Sequence, residues 1–202
     1  MIATKVIKLT GTLALALACI GAQTSLADNT ADKNSVQTVL NAAPAAELPA
    51  VAAQMVSKAK ARERETTTQN VVQAALAINP AAAPAIVGAI ARAVPEMAHT
   101  AAGFAAAQEP KQAHTIARAA AAAAPSKAGK IVIAVCSAVP NQYRSIALAV
   151  AEVAPTSSKD ILKSVAVAVP ALKPYIDKEI AGYGLSLPSV ATTLDQARIA
   201  QA

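Results

Sequence analysis

Apolar and polar positions recur with a fifteen-residue period between Val71 and Tyr175. Within each unit the apolar residues follow helical spacing, and no segment shows the two-residue alternation of a half-buried strand. The same residue type punctuates every unit: proline stands at Pro80, Pro95, Pro110, Pro125, Pro140, Pro155 and Pro170. The pattern predicts an all-α array of seven helical repeats over 71–175, in which each unit buries its apolar face against its neighbours.

Proline suits the first turn of a helix, where its missing N–H would have no partner, and it forces the preceding residue out of the α region. We therefore expect one helix per unit, which begins at the proline and ends roughly fourteen residues later. A connection of one or two residues would make successive helices antiparallel or steeply crossed. This predicts a two-layer α-solenoid, with helices n and n+2 side by side in one layer.

The buried face follows from 100° steps around each helix, with proline at position 10 of the unit. Positions 13, 1, 2, 5, 8 and 9 form one apolar arc. Positions 4 and 6 flank it and are nearly all alanine, whereas positions 3, 7, 11, 14 and 15 carry most of the charged and polar residues. Alanine flanks allow helix axes to approach to about 8 Å.

Residues 36–70 contain degenerate units and a polar insertion. The stretch from Val36 to Val51 resembles Val72 to Ile86 with one residue inserted, so that Pro44 matches Pro80 and Pro49 matches Pro84. The helix after Pro49 is predicted to run on to Glu65. The sequence TTTQN at 66–70 is interpreted as the break before the array.

Residues 176–202 are predicted to form a C-terminal cap. Gly182 and Gly184 suit a helix end and a loop, and Pro188 is expected to open the last helix. The series of prolines at fifteen-residue intervals is here called the proline ladder. It is interrupted at 58–70 and 175–187, and a distinctive surface is therefore most expected in these two stretches.

Residues 1–27 have the three-part pattern of a secretory signal peptide. Lys5 and Lys8 precede the apolar run Leu9 to Ile20, and small residues precede Asp28. The run is short for a membrane-spanning helix, which needs about 20 apolar residues. A lipoprotein signal at Cys19 is a lesser alternative. The pattern predicts export to the periplasm, cell surface or exterior, with residues 28–35 as a disordered leader.

Composition indicates an alanine-rich core: hydrophobic residues make up 54% of the chain and aromatic residues only 2%. The formal net charge is +6, and loss of Lys5 and Lys8 with a signal peptide would leave +4. Scattered charge of this size argues against a nucleic-acid binder. Cys136 would then be the only cysteine. It stands at position 6, where the other units have Ala or Leu, and reads as a small buried hydrophobe.

The repeat resembles the Ala/Pro-rich fifteen-residue helical repeats, of pattern IVxAAxxAxPxxAxx, found in uncharacterised secreted bacterial proteins. The resemblance covers Val71 to Tyr175 and, loosely, Val36 to Ala59. It implies an exported helical protein, and it implies no activity and no functional residues.

Candidate chemistry is sparse. His99 and His114 recur in the tripeptide Ala-His-Thr, but no third ligand accompanies them, so a metal site is not predicted. Basic residues of the later units could make a mildly cationic surface. The candidate interaction surface comprises His99, His114, Arg118, Lys130, Arg144, Lys159 and Lys163.

These observations predict a non-enzymatic structural or protein-interaction module without a cofactor or a catalytic residue. The expected partner is a protein or a component of the cell envelope. The alternative is an envelope- or membrane-associated protein. Its mildly basic helical face would bind the anionic headgroups of lipids.

Overall fold

The computed structural model describes residues 24–183 and 189–201, and within them every regular element is helical. The α-helices are α1 (Thr24–Ala42), α2 (Leu48–Lys58), α3 (Arg64–Ile78), α4 (Ala83–Ala93), α5 (Ala98–Gln108), α6 (Ala113–Ala123), α7 (Ala128–Ala138), α8 (Tyr143–Val153), α9 (Ser158–Ala168), α10 (Lys173–Tyr183) and α11 (Val190–Gln201). A 3₁₀ turn precedes each helix from α4 to α10: Pro80–Ala82, Pro95–Met97, Pro110–Gln112, Pro125–Lys127, Pro140–Gln142, Pro155–Ser157 and Pro170–Leu172.

The residue before each proline closes one helix and opens the next turn. Val94 has φ −139° and ψ 82°, as expected of a residue held extended by the following Pro95. Its N–H donates to the carbonyl of Ile90 at 2.8 Å, and its carbonyl accepts from the N–H of Met97 at 2.9 Å. Ala98 then starts the next α-helix. The chain therefore reverses over four residues.

This geometry corrects the predicted helix bounds. Proline starts a 3₁₀ turn, and the α-helix begins three residues later and runs for eleven residues, about 16 Å. The residue at position 12 ends the 3₁₀ turn and caps the α-helix that follows. Met97, for example, is the last residue of its turn, with φ −93° and ψ 0°, and α5 begins at the next residue.

The predicted two-layer arrangement is confirmed. The helices α2, α4, α6 and α8 pack side by side in one layer, here called layer A, and α3, α5, α7 and α9 form layer B. Contacts between helices n and n+2 are more extensive than contacts between consecutive helices throughout α4 to α9. The fold is an all-α, solenoid-like array.

The edges of the predicted buried arc are corrected. Position 6, which was assigned to its flank, is buried at Ala91, Ala106 and Ala121. Position 8, which was assigned to the arc, is exposed at Ala93 and Gln108 and only half-buried in later units. Both positions lie at the edge of the arc, and position 8 is the last helical residue, where the chain turns away. Position 1 carries five of the largest fully buried side chains of the array, Ile86, Ile116, Ile131, Ile146 and Ile161.

Small residues set the helix spacing within a layer. A Cβ added to Gly103 in α5 would lie 3.0 Å from the Cβ of Ala134 in α7. The same atom on Gly88 in α4 would lie 3.6 Å from the Cβ of Ala119 in α6. Close approach therefore occurs in both layers, as the alanine flanks predict.

The N-terminal units differ from the prediction. The break lies at 59–63, because α2 ends at Lys58, and TTTQN lies inside α3. Arg64 supports this break, since its Nη2 donates to the carbonyl of Ala59 at 3.0 Å and so satisfies a helix-end acceptor. Thr68 is fully buried and its hydroxyl donates to the carbonyl of Arg64 at 2.7 Å, which fits threonine into the helix.

The other predictions for the N-terminal region concern the match of Pro49 to Pro84 and the leader at 28–35. Pro49 and Pro84 are both the second residue of their helices, which supports the proposed match. Residues 28–35, expected to be disordered, belong to α1. Val36 and Leu40 anchor the later turns of α1 in the core, and extending a formed helix adds one hydrogen bond per residue. The predicted signal peptide lies almost wholly outside the described residues.

The alternation of layers ends after α9. The helix α11 packs against α8 and α9, and α10 packs against α9 and α11. The helical pattern does not stop at Tyr175, because α10 continues to Tyr183. Pro188 and Gly184 lie outside the described residues. Among the described helices, none is both long and apolar enough to cross a membrane.

Candidate functional site

The seven candidate residues divide between the two layers. His114 and Arg118 lie on α6 and Arg144 on α8, all in layer A. Layer B carries His99 on α5, Lys130 on α7, and Lys159 and Lys163 on α9. The sequence-predicted surface is therefore not one face.

The two histidines lie on consecutive helices at opposite edges of the array. His99 is the second residue of α5 and His114 is the second residue of α6, so that each follows a different chain reversal. His99 is half-buried, and its Nδ1 is buried without a hydrogen-bond partner, while His114 is exposed. Within the described residues, no group of three His, Cys, Asp or Glu side chains could hold a metal ion.

The arginines of layer A are engaged in ion pairs. Arg144 makes a bidentate pair with Asp195, with Nε–Oδ1 and Nη2–Oδ2 distances of 2.7 and 2.8 Å. Hydrogen bonding to Arg144 holds the pKa of Asp195 below its ordinary value. The pair joins α8 to α11. Arg118 lies 3.7 Å from Glu152, which links α6 to α8. These contacts are structural, and they leave less cationic surface on layer A.

Lys130 and Lys163 face each other across a groove of about 350 Å³ between α7 and α9. The groove is open, and Val167 on its rim is 61% exposed. Lys159 is exposed on α9 but does not line it. The complete lining, here called the α7–α9 groove, consists of Ser126, Gly129, Lys130, Ile133, Asp160, Lys163, Ser164 and Val167.

A glycine creates the floor of this groove. A Cβ on Gly129 would lie 2.9 Å from the Oγ of Ser164, so a larger residue would have to displace that hydroxyl. Ser164 is 6% exposed and stands at position 4, where other units have alanine or phenylalanine. A polar residue at a position that is usually alanine could have marked this groove in the sequence. The strong repeat pattern draws attention away from that single exception.

Position 12 side chains tie alternate turns together, a role that sequence reasoning missed. Gln112 Nε2 donates to the carbonyl of Pro80 at 3.0 Å, and Gln142 Nε2 donates to that of Pro110 at the same distance. On the opposite edge, Lys127 Nζ lies 2.6 Å from Glu96 Oε1. This hydrogen bond lowers the pKa of Glu96. The recurrence of a long polar side chain at position 12 was the sequence feature that could have predicted these contacts between turns.

Cys136 is a buried free thiol, as its position in the repeat predicts. Burial raises the pKa of its thiol to about 12, so the reactive thiolate is suppressed. Of the tyrosines, Tyr143 and Tyr175 are half-buried and pack against the core, which fits a supporting role.

No protein-family model, no curated protein and no solved structure matches this chain.

Proposed function

We propose that this chain is an exported, non-enzymatic helical-repeat protein that acts as a protein-interaction module. The observation that carries the proposal is the α7–α9 groove, which brings Lys130 and Lys163 together beside the exposed Val167. Two lysines around apolar side chains favour a partner segment that has both acidic and apolar residues.

The charges of the groove support this partner chemistry. Lys130, Lys163 and Asp160 are exposed, and none of them forms an ion pair within the described part of the chain. Two cations and one anion give the lining a net charge of +1. An acidic partner would gain complementarity without first breaking an internal ion pair.

A non-enzymatic role is favoured by how the polar groups are distributed. The groove is open and presents lysine, serine and aspartate side chains along a surface instead of gathering them in an enclosed pocket. The two histidines, which would be the natural acid–base groups near neutral pH, lie on consecutive helices, α5 and α6, at opposite edges of the array. Extended surfaces of this kind suit recognition of a partner chain.

A pull-down with matched variants tests the interaction. Purified protein is used to capture partners from envelope and extracellular fractions, in parallel with the double variants Lys130→Glu/Lys163→Glu and Lys111→Glu/Lys178→Glu. Both double variants change the net charge equally, and Lys111 and Lys178 lie outside the groove. We expect the first to lose a partner that the second retains; equal retention by both would contradict the proposal.

Export rests on the pattern of residues 1–27. Mass spectrometry of the protein from its native host should find an N-terminus at Asp28 in an exported fraction. An intact N-terminus on protein confined to the cytoplasm would contradict this part of the proposal.

The alternative of a membrane-associated protein receives less support, because its basic residues are divided between two layers and two arginines pair with acids. Co-sedimentation with anionic vesicles at low and high salt separates the two hypotheses. Salt-sensitive binding would favour the membrane hypothesis, and absence of binding at both salt concentrations would remove it.

A further inference from the structure

A second cavity lies where the N-terminal units depart from the repeat. It has a volume of about 460 Å³, within the usual range for small-molecule pockets. Its walls come from α1, from the end of α2, from the 59–63 connection and from the first turns of α3. The lining, here called the N-terminal pocket, consists of Ser35, Val36, Met55, Lys58, Ala59, Arg62, Glu63, Thr66, Thr67 and Asn70.

The broken repeat explains why a cavity exists here. The 59–63 connection has no proline, and α3 has fifteen residues where the array helices have eleven. The hydrogen bond from Arg64 to the carbonyl of Ala59 holds this connection against the start of α3. The extra turn of α3 thus stands beside α1 and the end of α2, and a space remains between them.

The floor of the pocket is apolar. Val36 is 7% exposed, and Met55 is partly buried and packs against the core. Methionine adapts its shape readily to an apolar group.

The rim of the pocket carries donors and one net positive charge. Lys58 forms no ion pair within the described residues, while Glu63 accepts a hydrogen bond from Arg62 Nε at 3.1 Å. The side chains of Thr66, Thr67 and Asn70 supply further donors, and none of them hydrogen-bonds within the described part of the chain. The rim also lies at the N-terminus of α3, whose dipole favours an anion.

We infer that the N-terminal pocket binds a small amphipathic monoanion, a carboxylate with a short aliphatic chain. Lys58 and the donors of α3 contact the carboxylate, and the aliphatic chain lies against Met55 and Val36. This site is separate from the α7–α9 groove, and its ligand class does not depend on the protein-interaction role.

Nuclear magnetic resonance titration of the purified chain with octanoate tests the inference. Octanoate should shift the backbone amide signals of Thr66, Thr67 and Asn70. Acetate, which lacks the chain, and octanol, which lacks the charge, should each bind at least about tenfold more weakly. Binding of octanol as tight as that of octanoate, or octanoate shifts confined to other regions, would overturn the inference.

Two matched variants sharpen the test. Lys58→Met removes the charge and keeps the aliphatic stem, and it should weaken octanoate binding at least about tenfold. Lys178→Met makes the same change on α10, outside both the N-terminal pocket and the α7–α9 groove, and should leave the affinity unchanged. Since Lys58 and Lys178 are both exposed, both variants are expected to fold, which circular dichroism checks. Equal affinity of the two variants would refute the assigned role of Lys58.

Discussion

Helices α5 and α7 are neighbours in layer B and occupy equivalent places in the repeat, but their cores differ. At positions 1, 2 and 5, α7 has Ile131, Val132 and Val135, and all three are fully buried. The same positions of α5 are Ala101, Ala102 and Ala105, which are equally buried. One helix fills its share of the core with branched side chains and the other with methyl groups.

From this difference we infer that the fold keeps its core closed by changing side-chain volume and helix distance together. Where α5 meets α7, a Cβ on Gly103 would come within 3.0 Å of the Cβ of Ala134. Close approach brings the backbone and methyl groups of the two helices into van der Waals contact. Elsewhere in the array, longer side chains provide such contacts. The following variants test this from the largest expected effect to the smallest.

Truncation in α7 should have the largest effect. Ile131→Ala should lower the free energy of unfolding by about 3 kcal/mol, because the lost burial is accompanied by a cavity in a closely packed core. Urea denaturation followed by circular dichroism measures the change. Val167→Ala, which truncates an exposed residue on the next helix of the layer, should change stability by less than about 0.5 kcal/mol. Similar losses for both variants would contradict the assigned packing.

Enlargement in α5 should also destabilise. Ala101→Ile gives α5 the position 1 residue of α7 and should lower stability by about 2 kcal/mol, because the closely spaced helices leave no room for it. The same denaturation experiment applies. A neutral or stabilising result would mean that α5 lies next to a void and would refute the compensation by helix distance.

Glycine replacements distinguish ordinary from tight contacts. Gly88→Ala should stabilise the chain by about 0.5–1 kcal/mol, because alanine favours the helix and the new methyl group would meet Ala119 at an ordinary 3.6 Å. Gly103→Ala should gain less, since its methyl group would crowd Ala134 at 3.0 Å. Thermal unfolding of both variants measures this difference, and an equal gain would show that α5 and α7 are farther apart than described.

The smallest effect should come from the Arg144–Asp195 pair, which is exposed. Because the pKa of Asp195 is lowered in the folded state, its stabilising contribution is present above the ordinary aspartate pKa and is lost as the pH falls below about 4. Arg144→Gln should therefore lower the melting temperature slightly at pH 7, and this loss should shrink as the pH falls below about 4. Arg92→Gln, in which an exposed arginine outside the described ion pairs is replaced, serves as the control. A loss of melting temperature that does not shrink as the pH falls would contradict this origin.

The proline ladder was sufficient to predict the helical class, the layers and the pairing of helices n and n+2, because each proline acts locally on its own turn. It did not predict the 3₁₀ turn. The hydrogen bond of that turn, from the N–H of Met97 to the carbonyl of Val94, depends on the backbone angles adopted after Pro95. It also misplaced the break before the array. The polar TTTQN stretch looks like a loop, but burial of Thr68 and its bond to Arg64 place it in α3.

The candidate surface was harder to predict, because equal units make both layers chemically alike. Lys130 and Lys163 were identified from charge alone, yet only the stacking of α7 on α9 places them across one groove. Arg144 looked equally available, but Asp195, 51 residues away, engages it. Seven of the ten residues that line the N-terminal pocket lie within 58–70, a stretch where the interrupted proline ladder predicted a distinctive surface.

Distances between spin labels test the layered array most directly. Arg92, Ala107 and Ala122 are exposed residues at position 7 of α4, α5 and α6, and each can be replaced by a labelled cysteine in a background with Cys19→Ala and Cys136→Ala. Residues 92 and 122 share layer A on neighbouring helices, whose axes should lie about 8–10 Å apart. Residues 92 and 107 lie on opposite layers. The layered array predicts that electron paramagnetic resonance finds 92 and 122 closer together than 92 and 107. The reverse order would contradict it.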